Sequence, residues 1–257
     1  MVEGGKVSLT QDGANAARLP LHPIWYNTIK EAMRLSCRDP VLTIVAIACA
    51  DGSMYVRQHA NMQSAVRAAK GLFRIGNSDH LTELNTVNAY VAASGKLSKE
   101  DLDKWCLKYF LSHQRLREIV QIRRDLESRV PQQTKRHLHF SDPEYWTTIT
   151  KALARGLATH VAWLPNRWEP DKYKTVHGNH HANISAESCL VGLGHKWVVY
   201  STASAIAGPE IQTVTAINPE WVIDLPYFAL SRMPKKVGMN KYRMDEMAQE
   251  LQKYRKI

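Results

Sequence analysis

The chain has 257 residues, with 34 Lys+Arg against 24 Asp+Glu, a formal net charge of +10 and a pI near 9.5. At 44% hydrophobic and 23% charged it has material for real cores, which excludes global disorder, while 13 Gly and 11 Pro without a period exclude a collagen-like or low-complexity chain. The longest apolar run, VLTIVAIACA at 41–50, is about half a bilayer span and reads as a buried core segment; the first residues show neither the basic nor the apolar region of a secretory signal.

Residues 7–35 carry a turn at Gln11-Asp12-Gly13 and a connector, Leu19-Pro20-Leu21-His22-Pro23, whose two prolines break any helix. Ile24, Ile29, Ala32 and Met33 then recur at near-helical spacing. Asp39 as N-cap and Pro40 at the first helical position announce a helix that is apolar all round and belongs at the centre of a cluster. A shorter amphipathic helix is predicted over 61–76, and another over 79–93 with Leu81, Leu84, Val87, Asn88 and Val91 on one side. Ser98-Lys99-Glu100-Asp101 resembles a capping box. It opens a long helix with the stripe Leu102, Trp105, Tyr109, Leu116, Ile119 and Leu126, ended by Pro131. The region 36–130 thus reads as all-helical.

After the polar connector 132–136, one more helix is predicted from Asp142-Pro143 to about Leu164, through Ile149, Leu153, Leu157 and Val161. The runs 173–176, 182–184, 197–200 and 212–217 are rich in β-branched and aromatic residues between Gly, Asn and Pro turns, and suggest a small antiparallel barrel. The last stretch, 229–257, is basic and ends in a surface helix. Charge is uneven along the chain. Residues 1–112 hold 13 basic and 10 acidic groups, 113–139 hold 7 and 3, 140–228 hold 6 and 8, and 229–257 hold 8 and 3. Cysteines at 37, 49, 106 and 189 form no C-x-x-C pair, which argues against a zinc ribbon or a disulfide framework and for a reducing intracellular compartment.

Three groups of residues, in order, resemble the C-terminal region of DEAH-box RNA helicases. Leu9-Thr10, Gly13, the 19–23 connector, Cys37 and Val41–Ala46 resemble the end of a winged helix and the start of the helical, ratchet-like domain. Ser78-Asp79-His80-Leu81-Thr82-Glu83-Leu84-Asn85, Asn88, Trp105-Cys106, Phe110, Arg115 and 122–126 (IRRDL) resemble the helicase-associated region, with Ser78 where the family usually has Gly. Lys151-Ala152-Leu153, Gly156, 197–200 (WVVY), 214–217 (VTAI) and Pro219-Glu220-Trp221 resemble its OB-fold. The resemblance implies an α+β chain: a truncated winged-helix remnant at 1–35, a helical ratchet-like domain at 36–131, an OB-fold barrel at 140–228 and a basic tail at 229–257.

Two departures qualify what the resemblance implies. The sequence holds no G-x-x-x-x-G-K-[ST] loop and no Asp-Glu-Ala-His, so no ATP hydrolysis is expected from this chain alone; ATP and Mg enter only with motor domains elsewhere. Ile184-Ser185-Ala186-Glu187-Ser188 stands where the family tends to show Ile-His-Pro-Ser-Ser, and Ile206-Ala207-Gly208 with Gln212 where it shows Thr-Ser-Lys and a downstream Arg. With a formal charge of −2, residues 140–228 lack the basic groove that single-strand binding wants.

The expected RNA-binding residues are Arg115, Arg117, Arg123, Arg124, Lys135 and Arg136; the tail cations Lys235, Lys236, Lys241, Arg243, Lys253, Arg255 and Lys256 either bind nucleic acid nonspecifically or aid solubility. The expected partners are single-stranded RNA and, by the resemblance, a G-patch-type activator, with no membrane and a nuclear location. His137, His139, His177, His180, His181 and His195 sit in predicted loops without partner ligands, so no metal site is expected. The cysteines read as small buried hydrophobes, and Trp105, Trp146, Trp197 and Trp221 as core residues. Two other readings stand beside the accessory module: a fragment of a complete ATP-dependent RNA helicase, and a protein-interaction scaffold that has lost RNA binding.

Overall fold

A computed structural model describes residues 2–3, 6–7, 10–56, 62–132, 138–205, 208–229 and 246–255. A two-stranded ribbon (β1, Val2–Glu3; β2, Lys6–Val7) precedes α1 (Gln11–Ala17) and α2 (Pro23–Arg34). The turn expected at Gln11-Asp12-Gly13 is instead the first turn of α1. The Thr10 hydroxyl accepts the Gly13 N–H at 3.1 Å, and this cap offsets the poor helix propensity of the glycine. In α3 (Arg38–Cys49) the N-cap is Cys37, and Asp39 lies in the first turn, where its charge complements the helix dipole.

Helices α4 (Gln63–Gly71), α5 (Asp79–Ser94), α6 (Lys99–Lys108) and α7 (His113–Arg129) complete the first bundle. The single helix expected across 98–130 is two. Phe110 takes a left-handed φ of 55°, its carbonyl accepts the Val56 N–H at 2.8 Å, and the Ser112 N–H donates to the Met54 carbonyl at 2.8 Å. Extended segment 54–56 thus captures backbone groups that a continuous helix would use, and Ser112 re-caps the chain as α7. The far end of α7 is closed by Arg38, only 3% exposed, whose guanidinium donates to the carbonyls of Glu127 and Val130. On α5, Leu81, Leu84 and Val87 are buried as expected, but Asn88 and Val91 are exposed; Thr82, Thr86 and Tyr90 fill the inner face.

The helix expected to reach Leu164 stops as α8 (Tyr145–Gly156), and Val161–Trp163 forms β3, the first barrel strand. Then come β4 (Lys172–Thr175), β5 (His181–Ile184), β6 (Trp197–Ser204) and β7 (Glu210–Ala216). They close into a barrel of order β3-β4-β5-β7-β6, antiparallel except for the β5–β7 pair. Fold class is therefore α+β, a helical bundle followed by a five-stranded OB-type barrel, as the sequence led us to expect. Ala162, Leu164, Tyr173, Ile184, Val198 and Val214 fill the barrel interior. Val161, Trp163, Trp197 and Val199 face outward into the helical core, so alternation along β3 and β6 serves two cores at once. At the α2–α8 crossing a Cβ on Gly156 would sit 2.3 Å from Thr28 Cα, so only glycine allows that approach. Beyond two 3-10 turns (Pro219–Trp221, Pro226–Phe228), α9 (Glu246–Gln252) buries Met247 and Leu251 in the core that holds Phe228.

Candidate functional site

Ser78, Asp79 and His80, at the start of α5, tie the bundle to the barrel. Ser78 Oγ caps α5 by accepting the Leu81 N–H at 3.0 Å and meets Thr215 Oγ1 at 2.7 Å. The Asn77 carbonyl accepts the Ala216 N–H, so the approach to α5 pairs with β7 like a short added strand. Asp79 accepts the Cys189 N–H at 2.8 Å through Oδ1 and the Val214 N–H at 2.9 Å through Oδ2, with Lys70 Nζ 3.4 Å away. His80 spans two strands, with Nδ1 2.7 Å from Thr215 Oγ1 and Nε2 2.7 Å from Ser201 Oγ.

The charges in this seam are set by burial and pairing together. Burial works against the Asp79 carboxylate, but Lys70 and the N–H groups of Cys189 and Val214 hold its pKa below the usual range. Lys70 is likewise held above its ordinary value, burial being overcome by Asp79 and Glu83. Burial pushes His80 down to about 4, against the pull of Asp79, so this ring is neutral. Burial also pushes Glu83 up to about 7, with Lys70 opposing and Asp79 adding to the rise.

Beside the tether lies a cleft of about 430 Å³ between α3, α5 and the barrel ends. Its floor is apolar, with Trp25, Ile44, Ile47 and Met54. Its polar wall gathers Ser185, Glu187 and Ser188 with Ser201, Thr202, Glu210, Gln212 and Thr213, so Gln212 meets the 185–188 stretch, both being positions where the barrel departs from the helicase pattern. Among the described residues, Asp79, Glu83, Glu187 and Glu210 line it with one lysine, Lys70. A cleft of that balance repels phosphate.

The expected RNA-binding residues divide by geometry. Arg115 is paired with Glu118 at 2.7 Å, and Arg123 donates to Thr43 Oγ1 at 3.1 Å and pairs with Glu127. These two arginines are spent on the bundle. Arg117 and Arg124 are exposed and, among the described residues, carry no ion pair; with Gln114 and Gln121 they edge a groove of about 540 Å³ between α5 and α7. Seven residues of helix separate them, about 10.5 Å. Lys135 and Arg136 lie outside the described residues, as do Lys235, Lys236, Lys241, Arg243 and Lys256. Lys253 pairs with Glu250, and Arg255 donates to the Phe228 carbonyl.

Among the described residues no group of three His, Cys, Asp or Glu side chains could hold a metal ion. All four cysteines are free; burial pushes Cys37 and Cys189 up to about 12 and Cys106 to about 11, far from thiolate chemistry. No helix among them is long and apolar enough to cross a membrane.

Sequence reasoning had no role for the Ser78–His80 tether. A run of three polar residues ahead of the apolar face of α5 was the available sign of it.

Comparison with known families bears on the barrel. Residues 149–226 match the family model described as oligonucleotide/oligosaccharide-binding (OB)-fold, a domain typical of DEAH-box helicase C-termini. The match starts inside α8 and runs through β7 into the 3-10 turns, covering the whole barrel. The chain thus carries an OB-fold domain of the kind consistent with a helicase accessory module.

Proposed function

We propose that this chain is the accessory C-terminal module of a DEAH-type RNA helicase, working in the nucleus on RNA held by the outer face of α7 rather than by the seam cleft. The observation that carries the RNA assignment is the pair Arg117 and Arg124. They are exposed, on one helix face and, among the described residues, without ion pairs, whereas the described lining of the cleft where the barrel meets the bundle carries Asp79, Glu83 and Glu210 beside one lysine. Lys135 and Arg136, directly after α7 in the chain, add to the same basic stretch. ATP and Mg belong to motor domains supplied by other sequence, and this chain contributes grip on the strand and a surface for a G-patch-type activator.

Filter binding of the 257-residue chain to single-stranded RNA tests this reading. We expect a log affinity that falls linearly with log salt, with a slope of roughly −0.7 per phosphate engaged. Affinity no better than that of a neutral protein, or independent of salt, would remove RNA from the proposal. The acidic cleft favours a second reading, a scaffold that has given up RNA, and the same titration separates the two: retained pulldown of a G-patch protein with no RNA binding selects the scaffold.

A further inference from the structure

Glu83 is the charge in the seam that the tether leaves unused. Lys70 Nζ donates to Asp79 Oδ1 at 3.4 Å and to the Glu187 carbonyl at 3.1 Å, and Asp79 takes the Cys189 and Val214 N–H groups besides. Glu210 accepts Gln212 Nε2 at 3.0 Å. Glu83 has no hydrogen-bond or ion-pair partner among the described residues, although protein encloses it except where it borders the cleft. An enclosed carboxylate without a donor destabilises a fold when it ionises, so the packing of α5 gives no reason for this side chain.

The space beside it has the form of a small-ligand site. The cleft of about 430 Å³ adjoins a second hollow of about 510 Å³ that shares Ser53, Lys70, Glu83 and Glu210 with it, and both fall in the range of roughly 300–1,000 Å³ usual for such sites. One side of the cleft is apolar, with Trp25, Ile44, Ile47 and Met54, and the other sets Glu83 among the hydroxyls of Ser201, Thr202 and Thr213. That lining suits an apolar stem ending in a positive head. Among the described residues the carboxylates do not converge as metal ligands would. A guanidinium wants its planar fork matched by paired acceptors, whereas an ammonium spreads three donors over one carboxylate and nearby hydroxyl oxygens. In the second hollow Arg67, which donates to the Ala186 carbonyl at 3.0 Å, opposes a further cation, so the head belongs in the first.

We infer that the seam cleft binds an alkylammonium group, its head on the Glu83 carboxylate and its methylene stem against Trp25, Ile44 and Ile47. The source of that group is either a free aliphatic amine or a lysine side chain of a bound chain. The cleft shares no described residue with the Arg117–Arg124 groove, so this site and the RNA face of α7 stand or fall separately.

Binding should also follow the proton on Glu83. The titratable groups that share its surroundings are Lys70 of α4, Asp79 and His80 of α5, Glu187 and Glu210 of the barrel, and Tyr55 and Arg67 in the second hollow. Between pH 6 and 8 His80 is already neutral, while Lys70 and Asp79 are already charged. Glu83, which titrates near 7, changes across that interval.

The test is a nuclear magnetic resonance titration of the full chain with cadaverine and with Nα-acetyl-lysine N-methylamide, read from the amide shifts of Ser53 and Thr213. Affinity for at least one probe is expected to rise about tenfold from pH 6 to pH 8, following the ionised fraction of Glu83. Glu83→Gln should weaken it about 10- to 100-fold at pH 8 and flatten its pH dependence, with the rest of the amide spectrum unchanged. Binding of cadaverine alone assigns the site to a free amine and binding of the lysine probe alone to a lysine of a bound chain; either result supports the inference. Three results overturn it: no shift with either probe, equal affinity of Glu83→Gln and wild type, or binding of the norleucine or arginine analogue as tight as that of the amine.

Discussion

The Asp79 carboxylate accepts the Val214 backbone N–H at 2.9 Å across 135 positions of sequence, and with the contacts of Ser78 and His80 to Thr215 it joins the first turn of α5 to the last barrel strand. Its other oxygen takes the Cys189 N–H, so a single side chain satisfies two buried donors of the barrel while Lys70 neutralises it. Asp79→Asn keeps the shape but presents an NH2 group to one of those N–H donors and leaves Lys70 without its partner. We expect a loss of roughly 2–4 kcal/mol, seen in thermal or urea unfolding. In a double-mutant cycle with Lys70→Met the two losses should be clearly non-additive; additive effects would mean that Lys70 and Asp79 are not coupled.

At the α2–α8 crossing the backbone itself sets the limit. A Cβ at 156 would stand 2.3 Å from Thr28 Cα and 2.4 Å from Thr28 Oγ1, and no side-chain rotation relieves a clash with a Cα. Gly156→Ala should therefore destabilise by roughly 3 kcal/mol through overpacking. Gly95→Ala is the control: φ is −79° there and a Cβ meets nothing nearer than a carbonyl oxygen at 3.8 Å. Unfolding midpoints of the two variants should differ by several degrees.

Much of this architecture is legible in the residues, and the failures have physical causes. The strands β4 to β7 announce themselves by β-branched and aromatic runs between turns. β3 does not, because Val161 continues the three-to-four spacing of Leu153 and Leu157 and so looks like more helix until the barrel claims it. The stripe from Leu102 to Leu126 likewise shows no break, since what divides α6 from α7 is pairing with residues 54–56, about fifty positions away in sequence and invisible to local periodicity. The candidate arginines were readable as a basic face, but which were free was not: Arg123 is committed by Thr43, eighty residues upstream.

Two seam residues give opposite pH dependence. Glu83 titrates near 7 when folded against about 4.5 unfolded, so between those values the folded state binds the extra proton and stability falls as pH rises. His80 titrates near 4 against 6.5, so over that window the unfolded state binds more protons and stability rises with pH. From about pH 4.5 to 6.5 the slopes offset each other. Glu83→Gln removes one of them: its stability should climb steeply with pH across that window and exceed the wild type above pH 7, on the order of 2 kcal/mol. Urea unfolding at pH 5, 6, 7 and 8 measures both slopes, and a variant that tracks the wild type at every pH would show that Glu83 is not held protonated.

The candidate arginines of α7 separate fold from function. Arg117 and Arg124 contact no carboxylate among the described residues, so Arg117→Gln with Arg124→Gln should leave the unfolding midpoint within about 0.5 kcal/mol of wild type, the usual range for surface substitutions. The same pair should weaken single-stranded RNA binding and make the salt slope shallower by roughly 0.7 for each phosphate released. Arg123→Gln should do the reverse, because its guanidinium holds Thr43 of α3 and Glu127 of its own helix: about 1 kcal/mol of stability lost and little change in the salt slope. Filter binding at several salt concentrations alongside urea unfolding reads both effects. If Arg123 moves the slope and the exposed pair does not, RNA approaches α7 from the side facing α3.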